Sequence, residues 1–232
     1  MEILLEVKNV KKSFGQKIIL DGVEFTLEKG KVLGILGPNG SGKTTLLNLI
    51  QSFLKPTEGE IYIDGKTAGI ETKGKVSMLQ DKNIFSWWMK VRDGIEFYKE
   101  FFGDFDEEKA RNLLDRFKID RNQRIKSLSK GTYEKFAIIL ALSRNAKLFI
   151  LDEPLSGIDP LDREEVTDII IDNLNEESSM IVTTHLVAEL ERIFDEVAFV
   201  KDRKIFLKGD SEILREERNS SLEEIYREIY KR

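Results

Sequence analysis

The segment Gly37-Pro38-Asn39-Gly40-Ser41-Gly42-Lys43-Thr44, followed by Thr45, constrains the fold more than any other part of the chain. A glycine, four further residues and then Gly-Lys-Thr require a strand that ends, a tight turn and a helix that begins. Both flanks fit: residues 31–36 form an apolar strand-like run, and an apolar helical run follows Thr45. In such a loop, glycines let backbone N–H groups close around the β- and γ-phosphates of a nucleotide. Lys43 neutralises phosphate charge, Thr44 ligates Mg²⁺, and the positive end of the next helix dipole faces the anion.

The remaining pattern predicts where such a loop would sit. Runs of β character recur at 3–7, 23–27, 31–36, 60–63 and 75–79, separated by turn signals such as Glu28-Lys29-Gly30 and Asp64-Gly65. Over 91–142 the pattern becomes helical, with helices predicted at 91–102, 106–119 and 130–142 and Asp106 as an N-cap. Strands at 147–151, 179–183 and 196–200 then alternate with helices at 159–176 and 186–194, which is the pattern of a parallel α/β sheet. Asp159 and Pro160 start the long helix with a capping side chain and a proline at the first helical position. We expect a single domain over 1–232 with a helical subdomain inserted at about 85–143.

Composition narrows the class. Hydrophobic residues make up 41% and charged residues 34%, a globular balance with a heavily charged surface. The 37 Lys and Arg against 42 Asp and Glu are interleaved, so no basic footprint for nucleic acid is present and no such partner is expected. The lack of cysteine excludes disulfides, thiolate metal sites and Cys catalysis, and fits an intracellular address. The longest apolar run, 136–142, falls far short of the roughly 18 residues needed to span a bilayer. Acidic Glu2 and Glu6 stand where a signal peptide carries basic residues, so a cytoplasmic location is expected.

Asp152 and Glu153 end the apolar run Leu148-Phe149-Ile150-Leu151, at the strand terminus where open α/β sheets bind ligands. An acid pair after a strand is by itself more often a cap or turn. Combined with the loop at 37–44, it suggests two tasks: Asp152 holding the Mg²⁺ shell and Glu153 polarising an attacking water.

At this point the sequence resembles the ABC ATPase family. Gln80 stands where that family has its Q-loop glutamine, and Leu128-Ser129-Lys130-Gly131-Thr132 resembles the signature motif Leu-Ser-Gly-Gly-Gln. Ser156-Gly157-Ile158-Asp159 resembles the D-loop, His185 the switch histidine, and Phe14 the aromatic that stacks on adenine. Phe14, lying before a glycine, also reads as a core aromatic, and a lone histidine is uninformative without its place after an apolar strand. The resemblance implies an α/β P-loop NTPase of ABC type, with a mainly parallel sheet core, an N-terminal antiparallel β part and an inserted α-helical subdomain. It implies ATP and Mg²⁺ as ligands, with Glu153, His185, Gln80 and Lys43 in catalysis and Thr44, Gln80 and Asp152 at the metal. The nucleotide would be held by Phe14, residues 37–45, Ser129, Gly131 and Asp159.

Two residues depart from the family pattern: Lys130 replaces the first signature glycine and Thr132 the glutamine, while Ser129 and Gly131 remain. Lys130 either adds charge near the γ-phosphate or is a solvated lysine on the first helical turn. The resemblance further implies a head-to-tail dimer with a second copy or a paralogous ATPase subunit. A separate transmembrane permease chain would hold the pair at the cytoplasmic membrane face, and the Leu-Ser-Lys-Gly form is similar to exporters of the ABC-2 kind. The alternative is a soluble ABC ATPase with a non-transport role, although the chain has no room for the long coiled coil of repair ATPases or the second cassette of ribosomal ones. A GTPase is disfavoured because no Asn-Lys-x-Asp motif occurs. Adjacent Trp87 and Trp88 follow Gln80, and we expect one to pack inside and the other to face the permease.

Overall fold

The computed structural model describes residues 2–79, 85–86 and 88–231, so Gln80 and Trp87 lie outside the described residues. Strands β1 (Ile3–Phe14) and β2 (Lys17–Glu28) are followed by β3 (Val32–Leu36), α1 (Lys43–Ile50), β4 (Glu58–Ile63), β5 (Lys66–Thr67), the single turn α2 (Ile70–Lys73) and β6 (Val76–Leu79). Helices α3 (Val91–Phe101), α4 (Glu107–Arg116) and α5 (Lys130–Leu142) come next. They lead into β7 (Leu148–Asp152), α6 (Pro160–Asp172), β8 (Ser179–Thr184), α7 (Val187–Leu190) and β9 (Glu196–Lys201). Strand β10 (Lys204–Asp210) and helices α8 (Ser211–Arg218) and α9 (Leu222–Tyr230) complete the order.

Two sheets result. An antiparallel sheet has the order β2-β1-β4-β5; a larger one runs β10-β9-β3-β8-β7-β6, parallel throughout except for β10. Strand β3 is buried at every position, as a central parallel strand covered on both faces must be. Its two-residue period sends Leu33 and Ile35 into a core shared with α1 and the antiparallel sheet. Val32 and Leu36 face the opposite core, closed by α6, α7, α8, α9 and the end of α5. Helices α3, α4 and α5 enclose a third cluster around Val91, Ile95, Leu114 and Phe136. Helix α5 belongs to two of these cores at once, which anchors the helical block to the sheet.

Several elements differ from the sequence reading for local reasons. Strands β1 and β2 extend well past 3–7 and 23–27, because repeated register shifts along the pair absorb polar residues that break the two-residue alternation. Helix α4 stops at Arg116 rather than 119, where Lys118 takes a left-handed φ of 55°. Helix α6 stops at Asp172 rather than 176, where Asn173 caps it and its Nδ2 donates to the Ile169 carbonyl at 2.6 Å. The helix predicted over 186–194 divides into α7 and a 3₁₀ turn at Glu191–Ile193. Elements β10, α8 and α9 have no counterpart in the sequence reading. Of the aromatic segment after Gln80, Phe85 packs against Phe97 and Phe136, whereas Trp88 is 59% exposed.

One buried cation ties the helical block to the sheet. Arg144, just after α5, donates from Nε and Nη2 to both oxygens of Asp104 at 2.8 and 2.9 Å. It also donates to the carbonyls of Val76 at 3.0 Å and Gly74 at 2.7 Å, and its guanidinium lies 4.1 Å from the centroid of the Phe102 ring. Removing the cation leaves a carboxylate and two carbonyls without their donor, so Arg144→Ala is expected to lower unfolding stability by about 3 kcal/mol. Urea denaturation of wild type and variant measures this; an unchanged midpoint contradicts it.

Candidate functional site

The site forms where β3, β8 and β7, adjacent in the parallel sheet, all end. Strand β3 stops at Leu36, and the chain turns through Gly37–Gly42 into α1. Gly42, the N-cap of α1, has φ 106°, and a Cβ there would lie 2.9 Å from Leu20, so only glycine fits without displacing the core. Lys43 is the first residue of α1 and is only 6% exposed. Its Nζ donates to the carbonyls of Gly37 at 2.7 Å and Pro38 at 3.3 Å and lies 3.7 Å from Glu153 Oε1. Burial pushes this ammonium down from its ordinary value, and the carboxylates of Glu153 and Asp152 oppose that shift.

The acid pair is separated by backbone geometry. Asp152 is the last residue of β7 and pairs with Thr183 of β8. One of its oxygens accepts from the Thr183 hydroxyl and the other from Thr44 Oγ1 at 2.8 Å. Glu153 then takes a left-handed φ of 51°, uncommon for a residue with a side chain. Its N–H donates to the Thr183 carbonyl at 3.0 Å and hydroxyl at 3.2 Å, holding a conformation that costs on the order of 1–3 kcal/mol. The turn sends the Glu153 carboxylate away from Asp152 and toward His185, the residue after β8. Glu153 Oε2 lies 2.8 Å from His185 Nδ1 and accepts from its backbone N–H at 3.2 Å. An ionised Glu153 can only accept, so Nδ1 carries the proton of that pair. The other oxygen, Oε1, is buried without a hydrogen-bond partner among the described residues.

Asn39, Gly40, Gly42, Lys43, Thr44 and Thr45 line a cleft of about 410 Å³ together with Asp152, Glu153 and Ser156. Pro38 and Ser41 line a neighbouring cleft of about 520 Å³ on the other side of the loop. Phe14 is 50% exposed at the end of β1, with Lys12 Nζ 5.0 Å from its ring, which excludes a packed core aromatic. Ser129 and Gly131 are not brought to either cleft: Ser129 caps α5, accepting from Thr132 N at 3.1 Å. Asp159 likewise caps α6, accepting from Leu161 N at 3.0 Å. Gln80 lies outside the described residues. Sequence reasoning missed Thr183, Lys17 and Glu134. Thr183 becomes visible only through strand register, and the other two only through the folding of β2 and α5 onto the loop.

A phosphate-type loop after the first parallel strand, with an acid pair two strands away, defines a nucleotide-hydrolysing α/β protein. The sequence model of the family described as ABC transporter matches residues 20–156. The chain is 29% identical over 217 residues to the ABC transporter ATP-binding protein YtrB of Bacillus subtilis, covering 92% of this chain and 74% of that one. It is 33% identical over 217 residues to the uncharacterised ABC transporter ATP-binding protein MJ1023 of Methanocaldococcus jannaschii, covering 91% and 79%. A solved ATP-binding subunit of an ABC transporter superposes with a TM-score of 0.88 at 25% identity, covering 98% of this chain and 100% of that one. The chain belongs to the ABC transporter family, as an ATP-binding subunit with ATPase activity. No helix among the described residues is long and apolar enough to cross a membrane.

Because Lys43 is, among the described residues, the one buried ammonium lining the cleft, Lys43→Ala is expected to weaken ATP binding by about 10- to 100-fold, the loss of a charge-assisted contact. Calorimetric titration with ATP measures it, and an unchanged dissociation constant contradicts the assignment.

Proposed function

We propose that this subunit powers a membrane transporter by ATP-driven pairing of two nucleotide-binding chains, and that Glu153 is its general base. One observation carries the reading: Glu153 has one oxygen held by His185 while its other, beside Lys43, is buried with no hydrogen bond among the described residues. A buried carboxylate oxygen without a donor is costly, and a water between it and a bound triphosphate would supply one. Lys43 would exchange its Gly37 and Pro38 carbonyl contacts for phosphate oxygens, and the amides of residues 37–45 would complete the cradle. His185 orients Glu153 and stands ready to sense the γ-phosphate.

The oxygen donors of Thr44 and Asp152 fit Mg²⁺, which is commonly held by one or two carboxylates together with substrate phosphates. Gln80 belongs to the same proposed set. Bound there, Mg²⁺ would neutralise charge on the phosphates. Among the described residues no cluster of three or more His, Asp or Glu side chains offers a cage of its own, in keeping with a metal that arrives with nucleotide.

Ser129 and Gly131, which do not line the cleft of their own chain, fit a site completed by a second copy or a paralogous subunit placed head to tail. Asp159, at the start of α6, belongs to that contact, and Phe14 stacks on the adenine. Hydrolysis would then weaken the contact that ATP holds together and reopen the pair. A separate permease chain would dock on the helical block near Trp88 and hold the pair at the cytoplasmic face of the membrane, in a transporter of the ABC-2 exporter kind. The compact three-core arrangement supports one ATP-binding domain over 1–232 with its helical subdomain at about 85–143.

Glu153→Gln is expected to reduce hydrolysis by about 100-fold or more while keeping ATP affinity, so that an ATP-dependent dimer accumulates on size exclusion. A monomeric variant that hydrolyses at the normal rate contradicts the base assignment. Trp88→Ala is expected to leave ATP affinity and melting temperature unchanged and to lose the permease in pull-down; retained assembly contradicts docking at that surface.

A further inference from the structure

The last helix, α9, reaches back to the start of the phosphate loop. The β3–β9 register ends at Leu36 opposite Phe199, and Gly37 begins the loop there. At that point the Tyr230 hydroxyl donates to the carbonyls of both Leu36, at 3.1 Å, and Val200, at 2.8 Å. A phenol has one proton, so the two carbonyls share it. The contact extends to the loop itself: a Cβ on Gly37 would lie 3.4 Å from the Tyr230 oxygen, 3.1 Å from the Val200 carbonyl and 2.8 Å from Ser41 Oγ. Tyr230 also lines the cleft of about 520 Å³ beside Pro38, Asn39, Gly40 and Ser41.

Helix α9 is firmly seated for such a role. Ser221 and Glu224 form a reciprocal capping box at its start, and Leu222, Ile225 and Ile229 are buried. Lys201, the last residue of β9, donates to the Ile229 carbonyl at 2.7 Å, a cation on the carbonyl end of the helix. The same helix packs on α7, which begins shortly after His185. One turn before Tyr230, the Tyr226 ring lies 4.6 Å from it. Burial raises the Tyr226 phenol above its ordinary value, and the negative charge of Glu153 adds to that shift, so the helix lies within the field of the acid.

We propose that Tyr230 is a positioning residue for nucleotide binding: its hydroxyl joins the ends of β3 and β9 and so fixes Gly37 and the direction in which the loop amides point. The inference rests on the reading of residues 37–44 as the phosphate loop. A loop that binds by backbone amides loses affinity when its first residue is free to shift, because ordering is then deferred to the binding step. Tyr230 touches the loop and not the reacting atoms, so it governs binding rather than the chemical step.

Tyr230→Phe keeps the ring and removes only the donor. The expected result is a rise of about 3- to 10-fold in both the dissociation constant and the KM for Mg-ATP, with kcat and melting temperature retained. An unchanged KM, whatever happens to kcat, overturns the proposal. So does a rise in KM that comes with a clear fall in the melting temperature, since general loosening then accounts for it. Lys43→Ala in the same assay keeps the two readings apart. Lost binding there, with Tyr230→Phe indistinguishable from wild type, overturns the positioning role and leaves the phosphate loop standing.

Discussion

Alignment of β7 on β8 at Thr183 is the constraint on which the site depends. The Thr183 hydroxyl donates to Asp152, while its carbonyl and hydroxyl both accept from the Glu153 N–H. One threonine thus holds an acid in register with the strand and holds the next acid in a left-handed turn out of it. Without that turn the carboxylates would follow the strand alternation and point to opposite faces of the sheet. With it, Asp152 meets Thr44 from α1 and Glu153 meets His185 from the end of β8. The strain of the turn is sustained because the parallel sheet around it is buried on both sides.

The helical block is coupled to this sheet by the apolar residues of α5 and by two polar attachments. Arg144 joins Asp104 to the carbonyls of Gly74 and Val76, and the Ser77 hydroxyl donates to the Ala141 carbonyl at 2.7 Å. Both attachments converge on β6, the strand that leads to Gln80. The block is thereby fastened to the strand beside β7, and Glu134 of α5 extends from the block to the cleft lining. The start of α5, with Ser129 and Gly131, is left outside the cleft, which is why the proposed mechanism requires a second chain.

The phosphate loop, the acid pair and the parallel sheet were legible in the sequence because each rests on local chemistry: glycines before a helix, acids after an apolar strand, strands alternating with helices. Helix α5 matched at both ends, since Ser129 caps it and its apolar residues serve two cores. Residues that act through register or through the return of a distant segment were not legible. Thr183 reads as one of many strand threonines until β8 is laid beside β7. Tyr230 lies in a segment whose helices α8 and α9 carry no functional motif, and its place at Leu36 follows only from closure of the core over the sheet. Strand lengths in β1 and β2 were underestimated because bulges let polar residues pass without ending the pairing.

Division of labour between Asp152 and Glu153 is tested most directly by measuring ATP affinity with and without Mg²⁺ for wild type and Asp152→Asn. If Thr44 and Asp152 hold the metal while Glu153 serves the water, the variant binds metal-free ATP as wild type does and loses most of the gain that Mg²⁺ confers. An undiminished Mg²⁺ gain in Asp152→Asn would contradict the account.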